Sequence, residues 1–265
     1  VSAARWWKTI LLATRKALNL LRPDIAYRRE AFDAGLERAG YHIVRSLPEP
    51  RPGDALLIWN RYGFFATEAQ RFESAGATVL VTENGWLGKG WRGGEWFTLC
   101  ERHHAGAGEW HVGGPERWDG WGVDLSPWRD GSQTLVLGQR GIGELGIRSP
   151  DGWGERMAAK LKVRLRPHPG KSKGLPLEDD LADVGRVVTW NSGAALKALM
   201  LGVPVWHDFP LWIGAMASSR IGQPLVKDDA KRLAMFQRLA WSMWTLDEIS
   251  TGEPIARQLL AVHLR

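Results

Sequence analysis

The sequence predicts an α/β protein with two parallel sheets, on three observations. Short apolar runs of strand length alternate with helix-length segments over residues 24–84, and again over residues 134–206. Glycine stands where such elements stop, as at Gly40, Gly76 and Gly202. Between the two runs, residues 85–128 lose the alternation and fill with Gly, Trp and His. Strands joined by short helices make parallel sheets with helices on their faces. One interruption between two such runs predicts two Rossmann-like domains, residues 1–130 and 131–265, with the final helices packing back.

Residues 5–21 mix Trp, Lys, Arg and Leu at helical spacing. They predict a basic amphipathic helix that either packs on its domain or meets phosphates or a membrane surface. Residues 27–39 predict a helix with Phe32 and Leu36 on one face, closed by Gly40. A short strand at 41–45 and a proline-rich loop at 48–53 precede a buried strand at 55–59 (ALLIW). A helix at 67–74 and a strand at 77–82 (ATVLVT) complete the first run. Residues 85–128 read as loop, and a loop of that length in a compact protein is more often functional than idle. An acceptor-facing lid and a domain junction both fit. The second run places strands at 134–137, 163–166, 186–189 and 203–206, with helices at 153–161 and 194–201. Residues 228–244 predict one long helix with Leu233, Phe236, Leu239 and Ala240 in register. Thr245 and Glu248 have the spacing of a capping box opening a last helix.

Composition narrows the classes. The 265 residues include 35 Lys and Arg against 29 Asp and Glu, a net charge of +6, which favours an anionic substrate or partner. A single cysteine, Cys100, excludes an intrachain disulfide framework and a multi-cysteine zinc site, and fits a reducing, cytoplasmic setting. The apolar run 10–13 is too short for a signal segment or a membrane span, so no stable membrane insertion is expected. The 16 tryptophans are enough both to fill cores and to stack on sugars or bases.

In open parallel sheets, ligands bind beyond the carboxyl ends of the strands. Three such ends in the second run carry what a phosphorylated donor needs. After 134–137 come Gln139 and Arg140 between glycines, where backbone amides and a guanidinium can approach an anion. After 163–166 comes Arg166-Pro167-His168-Pro169-Gly170-Lys171, whose prolines fix the loop that aims His168. After 186–189 comes Ser192-Gly193, opening a helix whose free amides suit phosphate. Singly, Ser192 reads as a cap, His168 as a structural loop histidine and Arg140 as a solvated charge; together they converge on a site. In the first run, Glu83 is the first candidate for a base, followed by Asp24 and the pair His103-His104. Asn60, Arg61 and Asn84 are the acceptor-side positioning candidates. Glu83 reads equally as a turn residue before Asn84-Gly85. His103-His104 has no Asp, Glu or Cys at ligand spacing, and no Asp-x-Asp motif occurs, so no metal site is expected.

The stretch Leu165-Arg166-Pro167-His168-Pro169, with residues 189–199 (TWNSGAALKAL) and 201–205 (LGVPV), resembles capsular polysaccharide transferases that add β-Kdo. More broadly it resembles the donor half of GT-B glycosyltransferases. The resemblance covers about the C-terminal half. It implies a GT-B-like arrangement of the two domains and nucleotide contacts from His168, Ser192 and Gly193. Many GT-B enzymes have Glu in this helix where Lys197 stands here, which puts carboxylate recognition of a ribose in doubt. Residues 57–63 (LIWNRYG), 81–85 (VTENG) and 241–245 (WSMWT) look like proteins of tailed phages and prophages. That likeness implies DNA base hypermodification.

The leading expectation is a metal-independent glycosyltransferase. It would use a nucleotide-sugar as co-substrate, with no cofactor, and act on a hydroxyl, for example that of a hydroxymethylated pyrimidine in phage DNA. Glu83 would activate the hydroxyl while Arg140, His168 and the Ser192 helix stabilise the departing phosphate. Three other readings stand beside it. One is a DNA-base transferase with a non-sugar donor such as an amino acid. Another is a capsule- or lipid-directed Kdo-type transferase. The last is a non-enzymatic DNA-binding protein, whose binding would be salt-sensitive.

Overall fold

The structure is a computed structural model that describes residues 15–22, 26–104, 106–170 and 175–263. The first sheet begins with β1 (Lys16–Asn19), β2 (His42–Val44), β3 (Ala55–Trp59), β4 (Thr78–Asn84) and β5 (Trp96–Glu101). Helices α1 (Ala26–Arg38) and α2 (Phe64–Ser74) connect its parallel strands. A short helix, α3 (Glu116–Gly120), precedes the second sheet. That sheet holds β6 (Gln133–Leu137), β7 (Arg164–Arg166), β8 (Val184–Thr189), β9 (Val205–His207) and β10 (Ser219–Arg220). They lie in the order β10-β9-β8-β6-β7, every pair parallel. Its connections include α4 (Trp153–Leu161), α5 (Leu177–Asp180) and α6 (Gly193–Met200).

The chain then returns. After α7 (Asp229–Ala240), β11 (Met243–Thr245) pairs antiparallel with β5, giving the first sheet the order β11-β5-β4-β3-β1-β2. Helices α8 (Leu246–Ser250) and α9 (Glu253–His263) follow and pack on α1. The capping box at Thr245 and Glu248 forms with both its hydrogen bonds.

Both sheets are covered on both faces, which is why their strands read as continuous apolar runs. Side chains alternate across a strand, so Leu56 and Ile58 join Phe72 of α2 on the outer face of the first sheet. Leu57, with Leu80 and Phe97, faces the other way into a core shared with Leu135, Leu137 and Val187 of the second sheet. Val136 and Val188 turn to the far side, against Trp153 of α4. This alternation gives an α/β protein with two parallel-rich, Rossmann-like sheets, as the sequence predicts; that the sheets share one interior is seen only in the structure.

Three local expectations are corrected. Residues 16–19, expected at the end of a basic helix, form β1 between β2 and β3, with Ala17, Leu18 and Asn19 buried. A four-residue strand enclosed on both faces shows no period of its own, so the basic spacing around it dominates the pattern. Residues 5–14 of that predicted helix, and Asp24, lie outside the described residues. Within the stretch expected to be loop, residues 96–101 form β5, whose antiparallel pairing with β4 extends the sheet. The flanking Gly and Trp mask it. The predicted helix 228–244 ends at Ala240 because Met243 and Trp244 are taken into the first sheet. Tertiary pairing outcompetes a helical pattern that had no internal stop signal.

Among the described residues several tryptophans pack on one another. Trp91, Trp96, Trp118 and Trp121 form an edge-to-face cluster, and Trp118 stacks on Phe236 of α7. Among the described residues no helix is long and apolar enough to cross a membrane.

Candidate active site

A cleft of about 480 Å³ opens where the carboxyl ends of strands from both sheets meet. That is a small-molecule size, at the place where open α/β sheets bind ligands. One wall comes from the first sheet: Trp59 and Asn60 at the end of β3, and Glu83 and Asn84 at the end of β4. His104, after β5, belongs to the same wall. The other wall is Gln139 and Arg140 after β6, His168 after β7, and Ser192 and Gly193 where β8 passes into α6.

The second-sheet wall presents hydrogen-bond donors. The Gly170 backbone N–H donates to Nδ1 of His168 at 2.9 Å. A backbone amide can only donate, so Nδ1 is unprotonated and the neutral ring carries its proton on Nε2. Partial burial, and secondarily the nearby Arg140 cation, hold the His168 pKa below its ordinary value, which maintains that neutral form. Arg140 is exposed and, among the described residues, makes no hydrogen bond or ion pair inside the protein. Its guanidinium is therefore uncommitted and available to an anion. Gln139 is committed: its Nε2–H donates to Asn191 Oδ1 at 2.5 Å, and its Oε1 accepts from the Asn191 N–H at 3.0 Å. The pair ties the β6 loop to the β8 loop.

Ser192 caps α6, accepting from the Ala194 N–H at 3.2 Å. A phosphate at this helix end would meet the Gly193 N–H and the helix dipole rather than a full turn of open amides. Gly193 has a packing reason as well. A Cβ there would stand 2.8 Å from the Trp86 carbonyl oxygen, so glycine permits the first-sheet side to close against α6. Trp86 is held in turn by its indole N–H donating to Ser242 Oγ at 2.7 Å.

The first-sheet wall has the opposite character. Asn60 adopts a left-handed backbone, φ 59°, and its Oδ1 is buried with no hydrogen-bond partner. His104 is buried, and its Nε2–H donates to the Ile142 carbonyl at 3.1 Å. Burial lowers its pKa despite that bond, so the ring is neutral, and Nδ1 is an acceptor without a partner. Glu83 stands in β4 opposite Thr98, so the turn-residue reading is replaced by a strand position. Its backbone N–H donates to Thr98 Oγ1 at 3.1 Å.

Other predicted residues lie elsewhere. Arg166 lines a smaller adjoining recess of about 310 Å³, together with Lys197, and is paired with Asp180. Arg61 is buried behind the cleft wall in a two-point ion pair with Glu73, at 2.6 and 2.7 Å. His103 is bonded to Glu144 at 2.5 Å and does not line the cleft. Lys171 lies outside the described residues. Sequence reasoning missed Asn191, Trp59, Trp86 and Trp212, all of which line the cleft. For Trp59, Trp86 and Asn191 the available signal was a position at, or within two residues of, a strand's carboxyl end; Trp212, five residues past β9, carried none. Among the described residues no group of three or more His, Cys, Asp or Glu is placed to hold a metal ion.

No protein-family model matches this chain. No curated protein matches it by sequence. Solved structures do. KpsC of Thermosulfurimonas dismutans, described as a β-Kdo 2,7 transferase, superposes with a TM-score of 0.54 at 12% identity, covering 94% of this chain and 99% of that one. A KpsC β-Kdo 2,4 transferase from the same organism gives 0.56 at 16% identity, covering 88% and 92%. At such identities the likeness is one of fold: the chain shares the two-sheet α/β architecture of these Kdo transferases.

Proposed function

We propose that this protein transfers a sugar from a nucleotide-sugar to a hydroxyl acceptor. One observation carries the reading: the two walls of the cleft have opposite hydrogen-bonding character. Arg140, the Nε2–H of His168 and the Gly193 N–H suit the phosphate of a donor. On the facing wall the Glu83 carboxylate suits a molecule that donates hydroxyls, with Asn60 and His104 lining the cleft beside it. In this proposal residues 1–130 form the acceptor side and residues 131–265 the donor side. The fold shared with KpsC structures agrees with it.

The chemistry follows from the arrangement. Glu83 takes the acceptor hydroxyl proton as its oxygen attacks the anomeric carbon. The bond from that carbon to the phosphate oxygen breaks, and the nucleotide leaves with the electron pair. Arg140, His168 and the α6 amide stabilise the charge that develops there. Each charge-assisted hydrogen bond of this type is worth about 1.5–3 kcal/mol.

The test is a thermal-shift screen against UDP-, GDP-, ADP- and CMP-sugars, followed by titration of the best one. Binding to the folded state raises the melting temperature. His168→Ala should then weaken the nucleotide by roughly tenfold to 150-fold. Acceptor arms use an oligosaccharide and DNA carrying hydroxymethyl-pyrimidine, the acceptor implied by the likeness to phage proteins. No shift with any nucleotide-sugar would sink the proposal. A shift with DNA alone would favour a non-sugar base transferase or a DNA-binding protein.

A further inference from the structure

His103 and the buried Arg61 have no place in the mechanism above, yet both are bound to a loop of the donor side. Glu144 sits in the loop after β6, the loop that carries Gln139 and Arg140. One of its carboxylate oxygens meets Nδ1 of His103 at 2.5 Å, and the other meets Nε of Arg61 at 3.1 Å. Arg61 is anchored behind them by Glu73 and by donating to the Arg102 carbonyl at 2.6 Å. Two positions back along the loop, the Ile142 carbonyl accepts from His104. Two elements of the first-sheet side therefore grip one loop of the second-sheet side.

The loop depends on its neighbours: Asn191 bonds Gln139 and the Ile147 carbonyl on the donor side, and Glu144 supplies the hold to the first-sheet side. Residues 138–150 contain no helix or strand, and Gly141, Gly143 and Gly146 all take positive φ. Such backbone loses much conformational freedom when ordered. Its internal bonds include those from Ile147 and Arg148 N–H to the Glu144 carbonyl, at 3.2 and 3.0 Å. Glu144 thus organises the turn with its backbone and fastens it to the first-sheet side with its side chain.

We propose that Glu144 is a positioning residue. With Arg61 and His103 it forms a clasp that holds the glycine-rich loop against the opposite wall, so that Arg140 faces the donor phosphate. The inference rests on the nucleotide-sugar reading for what the loop binds, but the clasp itself can be tested without ligand.

The experiment compares wild type with Glu144→Ala and Glu144→Gln, the second keeping the side-chain length and one acceptor oxygen. Hydrogen exchange reads local opening. In Glu144→Ala the amides of 139–148 should exchange at least about tenfold faster, while those of β6 hold their wild-type rates. A loop that occupies its competent arrangement one-tenth of the time should bind nucleotide about tenfold more weakly. Glu144→Gln should fall between the two. Unchanged loop exchange in Glu144→Ala overturns the clasp. Faster exchange with unchanged nucleotide affinity overturns the positioning role. If wild type binds no nucleotide, the functional proposal fails separately, and the exchange data still decide whether Glu144 holds the loop.

Discussion

Lowering the pH from about 7.5 to about 5 should cost this protein roughly 2 kcal/mol through His207 alone. His207 ends β9 beside Trp212, one of the cleft tryptophans, and only 4% of it is exposed. Ser218 Oγ donates to the Gly214 carbonyl at 2.6 Å, so its lone pair accepts from the His207 Nδ1–H at 2.9 Å. That bond leaves Nε2 as the nitrogen that would take up a second proton. Burial, and then the Arg220 cation, push its pKa from 6.5 down to about 4. Between those values the unfolded chain takes up the proton more readily than the folded one. The stability contribution is complete above the unfolded value and is lost as the pH falls through the folded one. The full shift corresponds to about 3 kcal/mol, of which about two-thirds is lost by pH 5. Urea midpoints at the two pH values, in wild type and in His207→Asn, isolate the term because other groups are common to both. The Asn amide can still donate to Ser218 but does not titrate. Equal pH dependence in the two proteins would refute the reasoning.

Three further outcomes are expected. Arg117→Met removes hydrogen bonds to the Ala240 and Met243 carbonyls, the two-point pair with Glu248 at 2.8 and 3.0 Å, and a cation–π contact with Trp244 at 3.7 Å. The Glu248 side chain is 37% exposed, which discounts the pair, so the loss should be about 2–4 kcal/mol; a melting-temperature drop under about 2 °C would contradict it. Glu83→Gln should lower turnover by roughly 10²–10⁴-fold while leaving the donor-induced thermal shift in place, because Glu83 and the donor groups stand on opposite walls. Loss of donor binding along with turnover would remove Glu83 from the base role. Gly193→Ala forces Cβ against the Trp86 carbonyl, and calorimetric titration with urea unfolding should show weaker nucleotide binding and about 1–3 kcal/mol less stability. No change in either would mean that the two walls need not close there.

By itself the sequence determined the local elements whose signals are short in range. ALLIW at 55–59 and the capping box at Thr245 and Glu248 appear where the pattern put them, because apolar runs and cap chemistry act over a few residues. The strand ends bearing Gln139, Arg140, His168, Ser192 and Gly193 were legible for the same reason, since each is a break in a periodic segment. Three things were decided only by tertiary structure. β11 leaves a helical pattern to pair with β5, nearly 150 positions earlier, and no local rule reports such a partner. Asn60 and His104 are left with unpartnered acceptors because of what packs around them, not because of their neighbours in sequence. His103 and Arg61 read as site residues from their positions, yet both are committed to Glu144, a side chain that reaches them only when the two sheets meet, and Arg61 is committed to Glu73 of α2 as well. Local free energy sets which elements form, while long-range pairing decides which of their polar groups are left available for a ligand.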